Sequence, residues 1–222
     1  TSSQQVYGHG RLHCDGSVYP NMTYNNNPNV DVIQDAHDYE SGICTFCSVV
    51  DHEYLQPDEQ GIYHFSTPGH IEWFSRMVNT ERFGGIKAVL DDDIDFEGIE
   101  NAHTPIGNDT YKFYGQFDGR GHHIKGMILN LENISSNGAG FFGSIRGGGT
   151  DANGIVYNDT VISRNLYIDD DCEVIVAGNN IGGVAGRVNS RNSDSNIVLI
   201  ENCGNSANVT SLTAGGAAGV LG

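Results

Sequence analysis

Four residues near the start of the chain have the types and spacing of a zinc site: Cys14, His37, Cys44 and Cys47. Two thiolates separated by two residues can hold one tetrahedral Zn²⁺, and a third thiolate and an imidazole complete a closed structural site. A short, asparagine-rich segment has little core of its own, so a bound metal would stabilise it. The sequence therefore predicts zinc here. A Cys44–Cys47 or Cys14–Cys47 disulfide, or free thiols, are the alternatives.

The stretch FYGQFDGRGHHIKGMILN contains a second group of candidate residues, Asp118, His122 and His123. An Asp in this setting can accept a hydrogen bond from the backbone two residues further on and so close a turn. Neighbouring residues of a strand point to opposite faces, so we expect the two histidines not to serve one metal or one substrate. The glycines around them fit bends and close backbone approaches. We therefore predict an architectural stretch.

An acidic run, LDDDIDFEG, offers oxygen ligands at alternate positions, Asp91, Asp93, Asp95 and Glu97. Oxygen ligands suit Ca²⁺, but an EF-hand loop needs glycine at its sixth position, where Phe96 lies. The sequence favours solvated turns and strand faces over a calcium site.

Glycosidic chemistry needs two carboxylates at a set separation across a cleft. The histidines of 8–10 and 123–125 are candidates for such a site, but the two segments are far apart in the chain. A lyase also needs cations near the substrate carboxylate, and the whole chain has 11 basic residues. We predict no catalytic residues, and keep a carbohydrate-active enzyme, either a polysaccharide lyase or a glycoside hydrolase, as the alternative.

One amphipathic helix is predicted after Ser66 and Thr67, which can cap its N-terminus, with Pro68 in its first turn. Its apolar face is formed at helical spacing by the following side chains: Ile71, Phe74, Met77 and Val78. From residue 86 onward the hydrophobic period changes to two, as in Met127, Leu129 and Leu131. Strands without intervening helices indicate a sandwich, a barrel or a solenoid.

A repeated glycine motif decides among these folds. The segments GAGFFGSI, IGGVAGRV and GGAAGVLG each contain G-x-x-G, at Gly140/Gly143, Gly183/Gly186 and Gly216/Gly219. A fixed motif at irregular spacing favours a β-solenoid, in which loops of any length leave a constant core. We predict that the three motifs align along one axis.

Residues 60–222 resemble bacterial surface and secreted proteins with the glycine-rich GLUG repeat, notably from Bacteroidetes. The resemblance depends on FYGQFDGRGHHIKGMIL followed by GAGFFGSI, and extends upstream to GIYHFSTPGHIEWFSRMVN. It implies a right-handed parallel β-helix and an adhesin-like role in attachment.

The net charge of −17 makes nucleic acid and anionic membrane surfaces unfavourable partners, and no apolar stretch is long enough to insert in a bilayer.

From the strand pattern, the glycine motif and the resemblance together, we expect an all-β protein with three parts. Residues 1–58 form a small Cys/His-rich subdomain, 59–85 a strand–helix cap, and 86–222 a right-handed parallel β-helix whose repeats continue beyond Gly222. The predicted function is attachment of a secreted or cell-surface bacterial protein to glycans or surface proteins. A structural stalk is a second alternative to the enzyme, and the oligomeric state is left open.

Overall fold

The computed structural model describes residues 39–40, 43–44, 55–81, 83–134, 138–150, 154–190, 196–213 and 216–222. These residues are mostly β-strands, with one helix among them, α1 (Pro68–Glu81). The strands are β1 (Tyr39–Glu40), β2 (Ile43–Cys44), β3 (Ile62–Phe65), β4 (Lys87–Leu90), β5 (Ile94–Asp95), β6 (Gln116–Asp118), β7 (His123–Lys125), β8 (Ile128–Ile134), β9 (Phe142–Gly147), β10 (Thr160–Arg164), β11 (Tyr167–Ile168), β12 (Glu173–Gly178), β13 (Ile181–Gly182), β14 (Ala185–Ser190), β15 (Ile197–Glu201), β16 (Gly204–Asn205), β17 (Asn208–Ser211) and β18 (Ala217–Ala218). The predicted all-β character is confirmed.

The strands from β3 onward pair in parallel. A five-stranded sheet has the order β15-β10-β6-β4-β3, a four-stranded sheet β16-β11-β7-β5, and a three-stranded sheet β17-β12-β8. Two further parallel pairs join β13 to β18 and β9 to β14. After β3 and β4 in the five-stranded sheet and β5 in the four-stranded sheet, the chain visits all three larger sheets in a fixed sequence, at β6, β7 and β8, then at β10, β11 and β12, and last at β15, β16 and β17. Only the short β1–β2 pair is antiparallel among the described strands.

The core lies between these sheets and consists largely of aromatic and branched aliphatic side chains. Its largest fully buried members are Phe65, Phe74, Phe96, Phe113, Phe117, Phe141 and Phe142. Phe117 contacts Phe142 edge to face with ring centroids 5.3 Å apart, and Phe113 stacks on Phe142 at 5.0 Å. Such ring pairs favour tilted or offset contacts, which fix how neighbouring strands pack.

The predicted alternation of strand residues is confirmed. Met127 and Leu129 are fully buried, whereas Asn130 between its apolar neighbours is exposed. In β12, Val174 and Val176 are buried in the same way. Because side chains alternate across a strand, each strand presents its other row to solvent.

Helix α1 covers the end of the five-stranded sheet at β3. Thr67 caps it, since its Oγ1 accepts a hydrogen bond from the His70 backbone N–H at 3.1 Å. Ile71, Phe74 and Val78 are fully buried, as predicted, and Met77 is half-buried. The range 59–85 thus contains one strand, β3, and one helix, α1, among its described residues, and β3 is part of the same sheet as β4 and β6.

The glycine motifs align in the structure only in part. Ala139 pairs with Ile181, so Gly140 lies beside Gly182 rather than Gly183, and Gly183 lies beside Gly219 rather than Gly216. Ala185 pairs with Phe142, which places Gly143 beside Gly186 as predicted. In the last segment, however, Ile181 pairs with Ala217 and Ala185 with Leu221. Gly222, rather than Gly219, therefore lies next to Gly186. The prediction at Gly219 was wrong because the run GGAAG offers several registers, and the pairing of apolar residues on both sides selects one.

The two cysteines in the described part of the repeat region are both free thiols. The two cysteines occupy different positions in the aligned strands. The Gly204 N–H bonds to the Leu166 carbonyl, and the Asn208 N–H bonds to the Cys172 carbonyl. Cys203 therefore lies beside Leu166, and Cys172 beside Ala207, so the two thiols do not stack on each other. Desolvation by burial raises the pKa of Cys172 to about 12, which leaves it an unreactive thiol.

Within the described ranges, no helix is both long and apolar enough to cross a bilayer.

Candidate functional site

Asp118 closes the turn at the end of β6. Its Oδ1 accepts a hydrogen bond from the Arg120 backbone N–H at 2.9 Å, which confirms the predicted turn role. Oδ2 accepts from Nε of Arg164 at 2.8 Å, one strand away in β10. Burial alone would raise the pKa of Asp118, but hydrogen bonds from Asn165, Arg120 and Arg164 lower it overall. The carboxylate therefore stays ionised at neutral pH and joins two strands.

The hydrogen bonds of Asp118 continue as a ladder of asparagine side chains at the equivalent turns after β10 and β15. Asn165 Nδ2 donates to Asp118 Oδ1 at 2.9 Å, and Asn202 Nδ2 donates to Asn165 Oδ1 at 2.8 Å. Asn165 and Asn202 adopt left-handed backbone angles, with φ of 53° and 49°. Asparagine tolerates this region better than most residues, so it suits both requirements of the turn. Sequence reasoning missed this ladder, although an Asn follows each of the two strands.

The acidic run after β4 forms ion pairs with the basic residues of the next segment. Asp91 pairs with Arg120, and Asp93 Oδ2 accepts from Lys125 Nζ at 2.5 Å. The hydrogen bond from Lys125 is the main cause that lowers the pKa of Asp93 to about 2. Asp95 Oδ1 accepts from the Glu97 backbone N–H at 2.7 Å, which is a turn contact. The acids thus lie on solvated turns, each engaged within the protein.

The two adjacent histidines bond to different carboxylates. His122 Nδ1 lies 3.2 Å from Asp93 Oδ1, whereas His123 Nδ1 bonds to Asp169. The His123 ring also stacks on Tyr167, with centroids 5.3 Å apart and planes inclined by 25°. We name the set of these side chains the charged network: Asp91, Asp93, Arg120, His122, His123, Lys125 and Asp169.

His64, in the edge strand β3, lies between two further carboxylates. Its Nε2 is 3.1 Å from Asp58 Oδ2, and its Nδ1 is 2.8 Å from Asp91 Oδ2. Hydrogen bonds, first to Asp58 and then to Asp91, raise the pKa of His64. Since Arg120 also pairs with Asp91, the charged network reaches the first strand of the five-stranded sheet.

A buried hydrogen bond between Glu72 and His103 connects the helix to the rest of the core and was not predicted. The His103 side chain is fully buried, and its Nδ1 lies 2.8 Å from Glu72 Oε1 on α1. Nε2 lies 3.0 Å from the Phe141 carbonyl oxygen, and the His103 ring stacks on the Phe141 ring. No sequence signal connects Glu72 with a histidine 31 residues away.

Asp58, Asp93 and Asp118 are poor candidates for acid catalysis. Glycoside hydrolysis needs one carboxyl group that is protonated near neutral pH. The pKa values of Asp58, Asp93 and Asp118 are all lowered, by hydrogen bonds from neighbouring groups in each case. The arrangement instead gives a fixed array of charged donors and acceptors, which suits binding.

The predicted zinc ligands cannot be placed together. Cys14, His37 and Cys47 lie outside the described residues, and of Cys44 only its backbone in β2 is described. In the part of the chain that the structure describes, no three His, Cys, Asp or Glu side chains are grouped closely enough to hold a metal ion. The zinc site of residues 1–58 therefore stays a prediction. The segment at residues 8–10 also lies outside the described residues.

Comparisons with protein-family models, with curated proteins and with solved structures find no match for this chain.

Proposed function

We propose that this chain is part of an adhesin-like protein, secreted or displayed on a bacterial surface, that binds a glycan or a surface protein. Its strands wind as a right-handed parallel β-helix, with α1 over its first coil. The GLUG-like sequence FYGQFDGRGHHIKGMIL supports this reading, as does the return of the chain to the same three parallel sheets. Parallel crossover connections are almost always right-handed, which supports the handedness.

The observation that carries the binding role is the row-wise arrangement of outward side chains. Parallel pairing places Lys87, Gln116 and Ile162 side by side across three strands, and Val89, Asp118 and Arg164 in the next row. Neighbouring strands are about 4.8 Å apart, so such rows present closely spaced groups on a rigid surface. A rigid surface loses little conformational entropy when a ligand binds.

A binding assay with the whole chain on arrays of glycans and of extracellular proteins tests the proposal. We expect retention of a defined subset of ligands by the folded chain. The matched control is Gly119→Val, because any Cβ at Gly119 would overlap the backbone of Asn165 and disrupt the stack. Absence of any folded-state binding on both arrays would favour the stalk.

The enzyme alternative is tested separately, by incubating the chain with a panel of neutral and acidic polysaccharides and measuring new reducing or unsaturated ends. We expect none, because the lowered pKa values of Asp58, Asp93 and Asp118 make these three carboxyl groups unsuited to act as the general acid. Product formation would replace attachment with carbohydrate cleavage as the function.

We further propose that residues 1–58 bind one structural zinc ion through Cys14, His37, Cys44 and Cys47. Elemental analysis should find close to one zinc per chain, which Cys44→Ser should remove. A folded, metal-free protein with the same proteolytic resistance in this segment would contradict the zinc site.

A further inference from the structure

A shallow depression lies on the exposed face of the five-stranded sheet and has a volume of about 180 Å³. It is lined by Ile62, Lys87, Ala88, Val89, Gln116, Phe117, Asp118, Ile162 and Arg164. These residues come from the four strands β3, β4, β6 and β10, so the depression is built by the stacking of the strands. Within this lining, the Asp118 carboxylate is paired with Arg164.

Lys87 is the one basic residue in the described ranges for which the structure gives no ion pair, hydrogen bond or ring contact. Arg120, Lys125, Arg164 and Arg187 each pair with an aspartate. The others also have partners: Lys112 bonds to the Asp109 carbonyl, Arg146 lies over the Tyr157 ring, and Arg76 has an interaction of its own.

The neighbours of Lys87 leave its ammonium available to an external anion. On either side in its row lie Ile62 and Gln116, which carry no charge. In a chain with a net charge of −17, an unpaired cation between uncharged neighbours is unusual, and a negatively charged group of a partner complements it.

The size and lining of the depression restrict what that group can be. Sites for whole small molecules are usually about 300–1,000 Å³, so this one accommodates a single side chain of a larger partner. Ile62, Val89 and Ile162 provide aliphatic walls. These walls cannot bond to the hydroxyls of a sugar ring, and the polar pair Asp118 and Arg164 bond to each other, so a sugar would lose hydrogen bonds to water there. A glutamate side chain, by contrast, combines two methylene groups with a terminal carboxylate.

We infer that this face is a docking surface for a polypeptide partner, whose glutamate side chain enters the depression and pairs with Lys87. The inference rests on the proposed attachment function and selects a protein over a glycan as the partner at this face. Farther along the same face, Ile197 and Leu199 of β15 are 51% and 37% exposed. They extend the apolar surface available to residues that flank the glutamate, as is common at interfaces with a polar rim.

The test is an NMR titration of the ¹⁵N-labelled whole chain with the peptide Ac-Ser-Val-Glu-Val-Ser-NH₂. We expect shifts at the amides of Lys87, Val89, Gln116 and Ile162, with a dissociation constant in the millimolar range. The same peptide with Gln in place of Glu should bind at least fivefold more weakly. Raising the salt concentration should weaken only the Glu peptide, because the added contact is ionic.

Two variants separate the site from general charge effects. Lys87→Gln should weaken the Glu peptide at least fivefold and leave the Gln peptide unchanged. Arg187→Gln, which removes an equal charge from β14, outside both the charged network and the five-stranded sheet, should leave the binding of both peptides unchanged. Equal binding of the two peptides to the parent chain, no shifts at this face, or unaltered binding by Lys87→Gln would overturn the inference.

A parallel NMR titration with galacturonate tests an anionic saccharide at the same depression. Shifts at the same amides with tighter binding than the Glu peptide would show that the anion site serves a glycan and would overturn the choice of a protein.

If the chain retains its ligands on the arrays and Lys87→Gln retains them equally, the attachment function stands and this docking surface fails. If the peptide binds as expected and both arrays stay empty, the attachment function fails instead.

Discussion

At the scale of single residues, Asn165 combines a backbone and a side-chain role. Its φ of 53° is strained for most residues, and its amide bonds to Asp118 on one side and to Asn202 on the other. We predict that Asn165→Ala lowers the free energy of unfolding by about 2 kcal/mol, through the lost bonds and the left-handed backbone. Asn165→Gly removes the strain and should cost about 1 kcal/mol. Urea denaturation measures both, and equal losses for the two variants would contradict the backbone role.

His64 predicts a dependence of stability on pH. Its pKa is raised above the ordinary 6.5 in the folded state. The stabilisation is therefore fully present below pH 6.5 and is lost as the pH rises through the raised pKa. We expect the free energy of unfolding to fall over this range in the parent chain, and this fall to be smaller in His64→Gln.

Two further variants check the assignment to His64. Asp58→Asn removes the largest cause of the raised pKa and should reduce the dependence on pH. Lys87 does not contact His64, so the variant Lys87→Gln should retain the full dependence of stability on pH. If His64→Gln follows the same pH curve as the parent chain, another group is responsible.

At the scale of elements, the contact between α1 and the sheets depends on Glu72. Its Oε1 accepts from both His103 Nδ1 and the Thr104 backbone N–H, and the His103 side chain is fully buried. Removing one partner of a buried pair leaves the other without compensation. We predict that Glu72→Ala lowers the free energy of unfolding by roughly 3 kcal/mol. Glu72→Gln, which keeps an acceptor oxygen, should cost less.

The comparison for Glu72 is Thr80→Ala, an exposed position on the same helix whose hydroxyl bonds to the Arg76 carbonyl. It should change stability by less than about 0.5 kcal/mol. Thermal unfolding followed by circular dichroism distinguishes the variants. A loss in Glu72→Ala no greater than that in Thr80→Ala would show that the pair does not hold the helix.

The elements that follow from local pattern were the ones predicted from the sequence. The helix needs only its cap and apolar face, and the inward positions of β4, β8 and β12 follow from period two. The Asp118 turn is also local, since its bond reaches two residues along the chain. By contrast, the pairs Asp118–Arg164 and Glu72–His103 depend on a register between distant segments. Periodicity carries no information about that register.

At the scale of the whole molecule, the described ends of the five-stranded sheet differ. The end at β3 is covered by α1, and Phe65 is fully buried there against Phe74, with ring centroids 5.1 Å apart. At the other end, β15 pairs with β10 alone, and its inward residues Val198 and Ile200 are only half-buried. Local opening therefore costs less at β15 than at β3.

Hydrogen exchange should show this asymmetry directly. We expect the slowest amide exchange in the interior strands, β4, β6, β7 and β10 to β12, with slow exchange also at β3. The fastest exchange among the strands of the three larger sheets should occur in β15, β16 and β17, each of which is an end strand. Equal protection at β3 and β15 would show that the helix does not stabilise its end of the stack.

A matched pair of inward valines tests the same asymmetry through stability. Val174 in β12 is fully buried, whereas Val209, its direct partner in β17, is half-buried. Because the lost contacts and the cavity both scale with burial, Val174→Ala should lower the free energy of unfolding by about 2 kcal/mol, and Val209→Ala by less than about 1 kcal/mol. The two residues share a chemical type, a strand register and a face, so only their place in the stack differs. Equal losses in urea denaturation would mean that the end strand β17 is packed as tightly in solution as β12.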